Sequence, residues 1–152
     1  MKFKKLIFSA VVVAALSLIC VNAVTVGQSA AVQDYTELCE TISADYYICP
    51  ELVEAIIESS PAVENTVGPM HLIESDQKDR MSKLNVTDLS DPEGNIRVGC
   101  DYLLELFEEY GDDYQVLTLF TGTSNIDYIN SILDRSYELE KAHHKLTEGG
   151  SI

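Results

Sequence analysis

Apolar residues recur every three to four positions through almost all of the sequence after residue 34. This period places them on one face of a helix, whereas a strand requires strict alternation of apolar and polar residues. No stretch of the chain alternates in that way. The segments that carry the helical pattern are 35–46, 50–58, 75–84, 92–110, 112–120 and 126–139. The sequence therefore predicts an all-α domain, or nearly so.

Proline, aspartate and glycine mark several helix boundaries. Pro50 suits the first turn of a helix, because the amide hydrogen that proline lacks has no partner there. Asp91 and Pro92 predict a cap followed by the first residue of a long helix, and Gly111 is placed to end it. These boundary signals agree with the apolar periodicity.

The first 23 residues have the pattern of a signal peptide. Three lysines lie within the first five residues, and the uncharged apolar run LIFSAVVVAALSLIC follows them. Residues 21–23, Val-Asn-Ala, offer a small-residue cleavage site, and the run is short for a membrane span. We therefore expect export and cleavage, with an uncleaved N-terminal anchor as the alternative. Residues 24–34 would then be a linker, residues 35–146 the domain and residues 147–152 a flexible tail.

The chain is strongly acidic, with 25 Asp and Glu against 10 Lys and Arg and a net charge of −15. Cleavage after residue 23 removes three lysines and no acid, which takes the net charge to −18. A charge of this sign offers no basic patch to nucleic acid, and it repels anionic membranes and anionic wall polymers. We expect a monomer that binds no nucleic acid and has no stable membrane anchor after cleavage.

Three cysteines follow the signal segment: Cys39, Cys49 and Cys100. Their spacing matches neither a Cys-x-x-Cys motif nor a zinc site, so we predict no metal and no cofactor. In an oxidising compartment one pair is expected, and Cys39 with Cys49 is the favoured pair. A helical hairpin brings such positions within the roughly 5–6 Å Cα separation of a disulfide. Cys100, beside Gly99 in a helix, is expected to be a small buried hydrophobic residue.

Four stretches between residues 46 and 125 point to a family: YYICPELVEAIIESS, GPMHLI, LNVTDLSDPEGNIRVGCDYLLELFEEYGDDYQVLTLF and GTSN. In this order they resemble the soluble lytic transglycosylase (SLT) domain of the lysozyme-like superfamily. The most specific stretch is VTDLSDPEGNIRVGCDYLLELFEEYGD, in which an Asp-Pro-x-x-Asn-Ile start opens a helix. The resemblance covers roughly residues 35–145. It implies a compact lysozyme-like helical fold with a glycan cleft.

The resemblance also implies a reaction, the cleavage of peptidoglycan between N-acetylmuramic acid and N-acetylglucosamine. In the family a single Glu protonates the glycosidic oxygen and then acts as base towards the C6 hydroxyl of the muramic acid. The product carries a 1,6-anhydro end. This chemistry needs one carboxylic acid in a partly apolar pocket, and it does not need the second carboxylate of ordinary glycosidases.

Two alignments of the catalytic acid are open. By letters, Glu58 and Ser59 match the family's Glu-Ser motif, which makes Glu58 the catalytic acid. Counted from the helix start at Pro50, the acid position falls nearer Ser60, and two residues correspond to about 200° of rotation on a helix. In the second alignment Glu58 joins Glu51 and Glu54 on an acidic stripe, a pattern typical of a solvated helix face.

The other site motifs have diverged from the family. Its Gly-Leu-Met-Gln turn corresponds to residues 68–71, Gly-Pro-Met-His, with His71 in place of Gln. Its Tyr-Asn pair corresponds to Phe120 and Thr121. The residues to which the resemblance assigns substrate binding are Ser59, Ser60, Met70, His71, Phe120 and Thr121.

Several other residues support weaker hypotheses. Glu64 lies in a loop and is a second candidate acid, although a loop carboxylate is usually only solvated. His143 and His144 are expected to face solvent near the end of the last helix. Tyr102, Tyr110 and Tyr128 lie at helical spacing and are expected in the core or at its boundary.

Two functions are open at this level. The first is a secreted, active lytic transglycosylase that acts on peptidoglycan. The second is a lysozyme-like domain that has lost its chemistry and binds a glycan or a protein. A helical interaction module unrelated to glycans, suggested by the acidity alone, is a third and weaker hypothesis.

Overall fold

Six helices account for most of the part of the chain that the computed structural model describes, residues 34–148. They are α1 (Thr36–Asp45), α2 (Pro50–Glu58), α3 (Glu74–Leu84), α4 (Pro92–Tyr110), α5 (Asp113–Thr121) and α6 (Ile126–Glu148). Within these residues the extended structure is a single isolated bridge between Val67 and Leu72. The prediction of an all-α fold is confirmed. The signal peptide and most of the linker and tail predictions lie outside the described residues.

The long helix α4 begins and ends where its sequence signals predict. The Asp91 carboxylate caps the helix by accepting a hydrogen bond from the Gly94 amide at 2.8 Å, and Pro92 is the first helical residue. At the other end Gly111 adopts a left-handed φ of 67°, and its amide donates to the Phe107 carbonyl. None of the described helices is both long and apolar enough to cross a bilayer.

Helix α2 packs against α1 on one side and against α6 on another, while α4 packs against α1, α3 and α5. Five consecutive α2 residues, from Leu52 to Ile56, are buried. Burial of this extent on one short helix places α2 inside the domain. The buried apolar residues of all six helices form one hydrophobic core, and the described residues make a compact unit by themselves.

A tight turn between Val67 and Leu72 is fixed to α4 by one buried side chain. Val67 and Leu72 exchange two backbone hydrogen bonds, of 2.7 and 3.1 Å. Asn95, on the first turn of α4, is fully buried. Its Oδ1 accepts from the Met70 amide at 2.8 Å, and its Nδ2 donates to the carbonyls of Val67 at 2.9 Å and Leu89 at 3.0 Å. Asn95 therefore positions the turn that carries two of the predicted site residues.

Two glycines allow this close approach. Gly68 has a φ of +70°, and a Cβ there would lie 2.2 Å from Asn95 Nδ2. A Cβ on Gly99 would lie 2.2 Å from Met70 Sδ. Both separations are far inside van der Waals contact, so a larger residue at either position would displace the turn. Met70 thus packs into a notch that the absence of a side chain at Gly99 creates.

The predicted pairing of Cys39 with Cys49 is wrong, since all three described cysteines are free thiols. Cys39 and Cys100 are buried in the core, and burial is the main cause that raises the pKa of each thiol to about 12. The charge that Cys39 would carry as a thiolate also contributes to the raised pKa of Cys100. Cys49 lies exposed before α2, and its Sγ donates to Glu51 at 2.9 Å. Cys39 points into the core, whereas Cys49 points outward. Cys100 is buried, as predicted.

The acidic stripe of α2 is a solvated face only at Glu58, whose side chain is 42 % exposed. Glu54 is 8 % exposed, and its Oε1 has no hydrogen-bond partner among the described residues. Glu51 accepts a hydrogen bond from His143 Nδ1 of α6 at 2.8 Å, so His143, which was predicted to face solvent, is 31 % exposed and pairs with α2. The stripe lies against the last helix, which begins more than 60 residues later in the sequence.

Candidate functional site

A small crevice lies where the end of α2, the Val67–Leu72 turn, the end of α5 and the start of α6 meet. Its volume is about 10 Å³. Its lining includes Ile56, Met70, His71, Phe120, Thr121 and Tyr128. Four of the six residues predicted to bind substrate therefore lie together: Met70, His71, Phe120 and Thr121.

The two predicted serines lie beside the crevice, held by hydrogen bonds from two of its lining residues. The Tyr128 hydroxyl donates to the Ser60 carbonyl at 2.7 Å and lies 3.0 Å from Ser59 Oγ. His71 Nε2 lies 2.7 Å from the Ser59 carbonyl oxygen. Ser59 Oγ also donates to the Ile56 carbonyl at 2.6 Å, which closes the last turn of α2. The chain that leaves α2 is thus fixed from both sides.

His71 has a defined ring orientation and an uncommon backbone conformation. A carbonyl oxygen only accepts, so the Nε2 atom that faces Ser59 must carry a proton, and Nδ1 is left for other contacts. The φ angle of His71 is 54°, in the left-handed region that residues other than glycine rarely adopt. Such conformations persist only where the surrounding structure enforces them, and they are frequent at binding sites.

A wider groove continues from the crevice past His71 and Phe120. Its volume is about 100 Å³, and its lining includes His71, Asp76, Gln77, Tyr102, Phe120 and Thr121. The rings of Tyr102 and Phe120 lie 5.4 Å apart with an angle of 31° between their planes. The groove combines an aromatic wall with hydrogen-bonding groups at its edge, a combination typical of small-molecule sites.

Glu58 lies outside both recesses, at the contact between α2 and α6. Its two carboxylate oxygens accept from Arg135 Nε at 2.5 Å and from Arg135 Nη2 at 3.1 Å. The hydrogen bond to Glu58 is the main cause that raises the pKa of the Arg135 guanidinium. Each side chain of the pair is 42 % exposed. Both oxygens of Glu58 are therefore occupied by a guanidinium, and neither points into the crevice.

Of the other candidate acids, Glu64 is exposed and lines neither recess. Asp76, which the sequence did not single out, is the one carboxylate among the described residues that lines the groove. Two further contributors were also missed. Tyr128 was predicted only as a core or boundary residue, and Gln77 was not considered. Each stands alone in an otherwise ordinary helix, so no local motif marks it.

The described residues thus define a small all-α domain of the lysozyme-like class. The sequence matches the family described as "Transglycosylase SLT domain" over residues 39–127, and the chain belongs to that family. No curated protein and no solved structure matches the chain. The family match includes most of α1, the whole of α2 to α5 and the first two residues of α6, and therefore every residue of the crevice and groove named above except Tyr128.

Proposed function

We propose that this domain binds the glycan strands of peptidoglycan along the groove, and that Glu58 does not cleave them. One observation carries the proposal. Three residues that match the family's binding positions, His71, Phe120 and Thr121, line the groove together, whereas the carboxylate that matches its acid is held outside by Arg135. A proton donor must lie within hydrogen-bond reach of the glycosidic oxygen. The geometry therefore favours binding over acid catalysis.

Export belongs to the same proposal. Peptidoglycan lies outside the cytoplasmic membrane, and a signal peptide at residues 1–23 would take the chain there as a monomer. Cleavage of this segment in secreting cells would be seen as a mature N-terminus at residue 24.

The test uses purified residues 24–152, which contain the whole described unit, on intact peptidoglycan. We expect the protein to sediment with the glycan and to release no 1,6-anhydro products detectable by mass. Glu58→Gln should sediment equally well, because the substituted group lies outside the crevice. Its free energy of unfolding should change by no more than about 1 kcal/mol, since exposed ion pairs contribute little.

Two matched variants serve as controls. Glu64→Gln makes the same chemical change in an exposed loop, and Asp76→Asn removes the carboxylate of the groove. Anhydro products from the wild type that disappear only in Glu58→Gln would show that the domain is an active enzyme and that the proposal is wrong. Products lost only in Asp76→Asn would assign the acid to the groove instead.

An active lytic transglycosylase acting through Glu58 is the second candidate, and one observation favours it. Glu58 is the last residue of α2, directly before the serine whose carbonyl contacts His71 of the crevice. Its partner Arg135 is 42 % exposed, and an ion pair of that exposure opens at low energetic cost. Rotation of the Glu58 side chain away from Arg135 would then be the step that activates the enzyme.

A further inference from the structure

A pocket that the proposed function does not use lies at the start of α2, whereas the crevice lies at the end of that helix. Its volume is about 330 Å³, compared with about 10 Å³ for the crevice and about 100 Å³ for the groove. Among the described residues it shares no lining side chain with either of them. We call it the apolar pocket, because five apolar side chains line it: Ile48, Leu52, Leu104, Phe107 and Leu133. A ligand there would leave the groove open to a glycan.

An exposed aromatic residue belongs to the edge of this pocket. Tyr47 is 93 % exposed, and its φ of 56° lies in the left-handed region. The next residue, Ile48, is 7 % exposed, and its amide donates to the Ser43 carbonyl at 3.1 Å, so the turn that presents Tyr47 is anchored in the core. Tyrosine is enriched in protein interfaces, where its ring buries a large apolar area. A small molecule within the pocket would cover little of Tyr47, whereas a protein segment can cover it.

The charge at the apolar pocket is negative. Asp113, the first residue of α5, is exposed and lines the pocket. Within the described residues its carboxylate forms no ion pair and accepts no hydrogen bond. Three more exposed acids, Glu108, Glu109 and Asp112, lie in the sequence between the lining residues Phe107 and Asp113, and the described lining contains no lysine or arginine. A positively charged group is therefore the electrostatic complement of this surface.

We propose that the apolar pocket binds a protein partner through a basic segment in which lysines or arginines flank a large apolar side chain. The apolar side chain enters the pocket, a neighbouring ammonium or guanidinium group pairs with Asp113, and the segment covers Tyr47. A second copy of this chain is a poor occupant, because each copy carries a net charge of −15 and like charges repel. The inference goes beyond the proposed function and does not rest on it.

The test is an NMR chemical-shift titration of isotopically labelled residues 24–152, which contain the whole described unit, with three capped pentapeptides. The probe is Gly-Lys-Phe-Lys-Gly. Gly-Lys-Ser-Lys-Gly keeps its charge and lacks the ring, and Gly-Glu-Phe-Glu-Gly keeps the ring and reverses the charge. We expect the probe to bind about tenfold more tightly than either of the others, since burial of a phenylalanine ring alone corresponds to about that factor. The amides that shift should be those of residues 47–52 and 104–113, and those of the turn at 67–72 should stay in place.

Two variants test the charge and the ring separately. Asp113→Asn should weaken binding of the probe about threefold, the usual effect of one exposed ion pair. Asp127→Asn is its control, because Asp127 is also an exposed acid in the first turn of a helix and lines none of the three recesses. Tyr47→Ala should also weaken binding about threefold, since it removes apolar contact area. Tyr137→Ala, at an exposed position of α6 that lines none of the recesses, should keep the full affinity.

Several results would overturn the proposal. No binding of the probe, or binding of either comparison peptide as tight as that of the probe, would exclude a basic and apolar partner. An unchanged affinity in Asp113→Asn or in Tyr47→Ala, or shifts confined to the crevice and groove, would place the peptide elsewhere. A dimer in sedimentation of the protein alone that Tyr47→Ala abolishes would show that a second copy occupies the pocket. None of these results bears on glycan binding in the groove.

Discussion

Asn95 is the residue on which the position of the site most depends. Its amide makes three hydrogen bonds, one accepted and two donated, to backbone atoms of the turn and of the loop before α4. Because the Val67–Leu72 turn carries Met70 and His71, this one side chain sets the distance between the turn and α4. The Asp-Pro-x-x-Asn-Ile motif therefore has a physical reason: its first residue caps the helix, and its Asn holds the turn.

Asn95→Asp should destabilise the domain by about 3 kcal/mol at neutral pH. The shape is unchanged, but two buried carbonyls lose their donor and a carboxylate replaces the amide, and each unsatisfied buried group costs about 1–3 kcal/mol. Urea unfolding followed by circular dichroism measures the difference. Asn125→Asp is the control, because Asn125 caps α6 by accepting hydrogen bonds, a role that aspartate also fills. Equal losses in the two variants would contradict the role given to Asn95.

At the scale of the elements, the helices were predictable, but the surroundings of their polar faces were not. Start and stop signals act within a few residues, which is why Asp91, Pro92 and Gly111 mark the ends of α4 correctly. The spacing of Glu51, Glu54 and Glu58 shows that they share a face of α2. It does not show that α6 covers that face, because this depends on a contact between distant parts of the chain. For the same reason the ion pair of Glu58 escaped prediction.

The site shows the same division between local and distant information. Met70, His71, Phe120 and Thr121 were found because the resemblance supplied their positions, although the motif letters had changed. Gln77 and Tyr128 belong to no motif, and their roles arise from partners on other helices. Nothing in the apolar period of α3 or α6 distinguishes them from other polar or aromatic side chains.

The contact between α2 and α6 should make stability depend on pH through His143. The hydrogen bond from His143 to Glu51 raises the pKa of the imidazole above its usual 6.5. The groups that face it are Glu51 and Glu54 of α2 and Glu40 of α1. Because the folded pKa is raised, the stabilisation is complete below pH 6.5 and is lost as the pH rises through the higher, folded value.

Two neighbouring carboxyls act on the same interface. Burial is the main cause that raises the pKa of Glu54. The folded state is therefore less stable once this carboxyl ionises, and stability falls as the pH rises. The pKa of Glu51 is lowered, although its partial burial, the largest single influence, opposes this. Hydrogen bonds from Cys49, its own backbone amide and His143 outweigh the burial. Glu51 thus contributes stability above its unfolded pKa and loses it in stronger acid.

His143→Gln isolates the histidine. We expect the wild type to exceed the variant in unfolding free energy by about 0.5 kcal/mol near pH 5.5, since the pair is partly exposed, and by nothing measurable near pH 9. His144→Gln is the neighbouring control, at a more exposed position. A difference that grows with pH would contradict the assignment.

For the whole molecule, the dominant property is its charge. Residues 24–152 carry seven basic and 25 acidic side chains, a net charge of −18. Peptidoglycan and its attached wall polymers are also anionic, so long-range repulsion opposes the proposed binding in the groove. The groove must then obtain its affinity from short-range hydrogen bonds and ring contacts, which salt affects little.

The affinity for intact cell walls should therefore rise with salt, the opposite of the usual electrostatic binding protein. Between 0.01 M and 0.15 M salt the screening length falls from about 30 Å to about 8 Å, which removes most of the repulsion. We expect sedimentation with cell walls to increase several-fold over this range, while the affinity for neutral chitotriose stays constant. Wall binding that weakens with salt would contradict this prediction and would point to a cationic patch on the domain.

The burial of two of the three described thiols also provides a measure of how often the domain opens. Cys39 and Cys100 are closed off in the core, and Cys49 alone among them is exposed. An alkylating reagent reaches Cys49 in the native protein, and it reaches the other two only in molecules whose helices α1 and α4 have separated. The mass of the protein would then increase in separate steps over time. The slow steps give the opening frequency under native conditions, and a bound glycan that stabilises the fold would lengthen them.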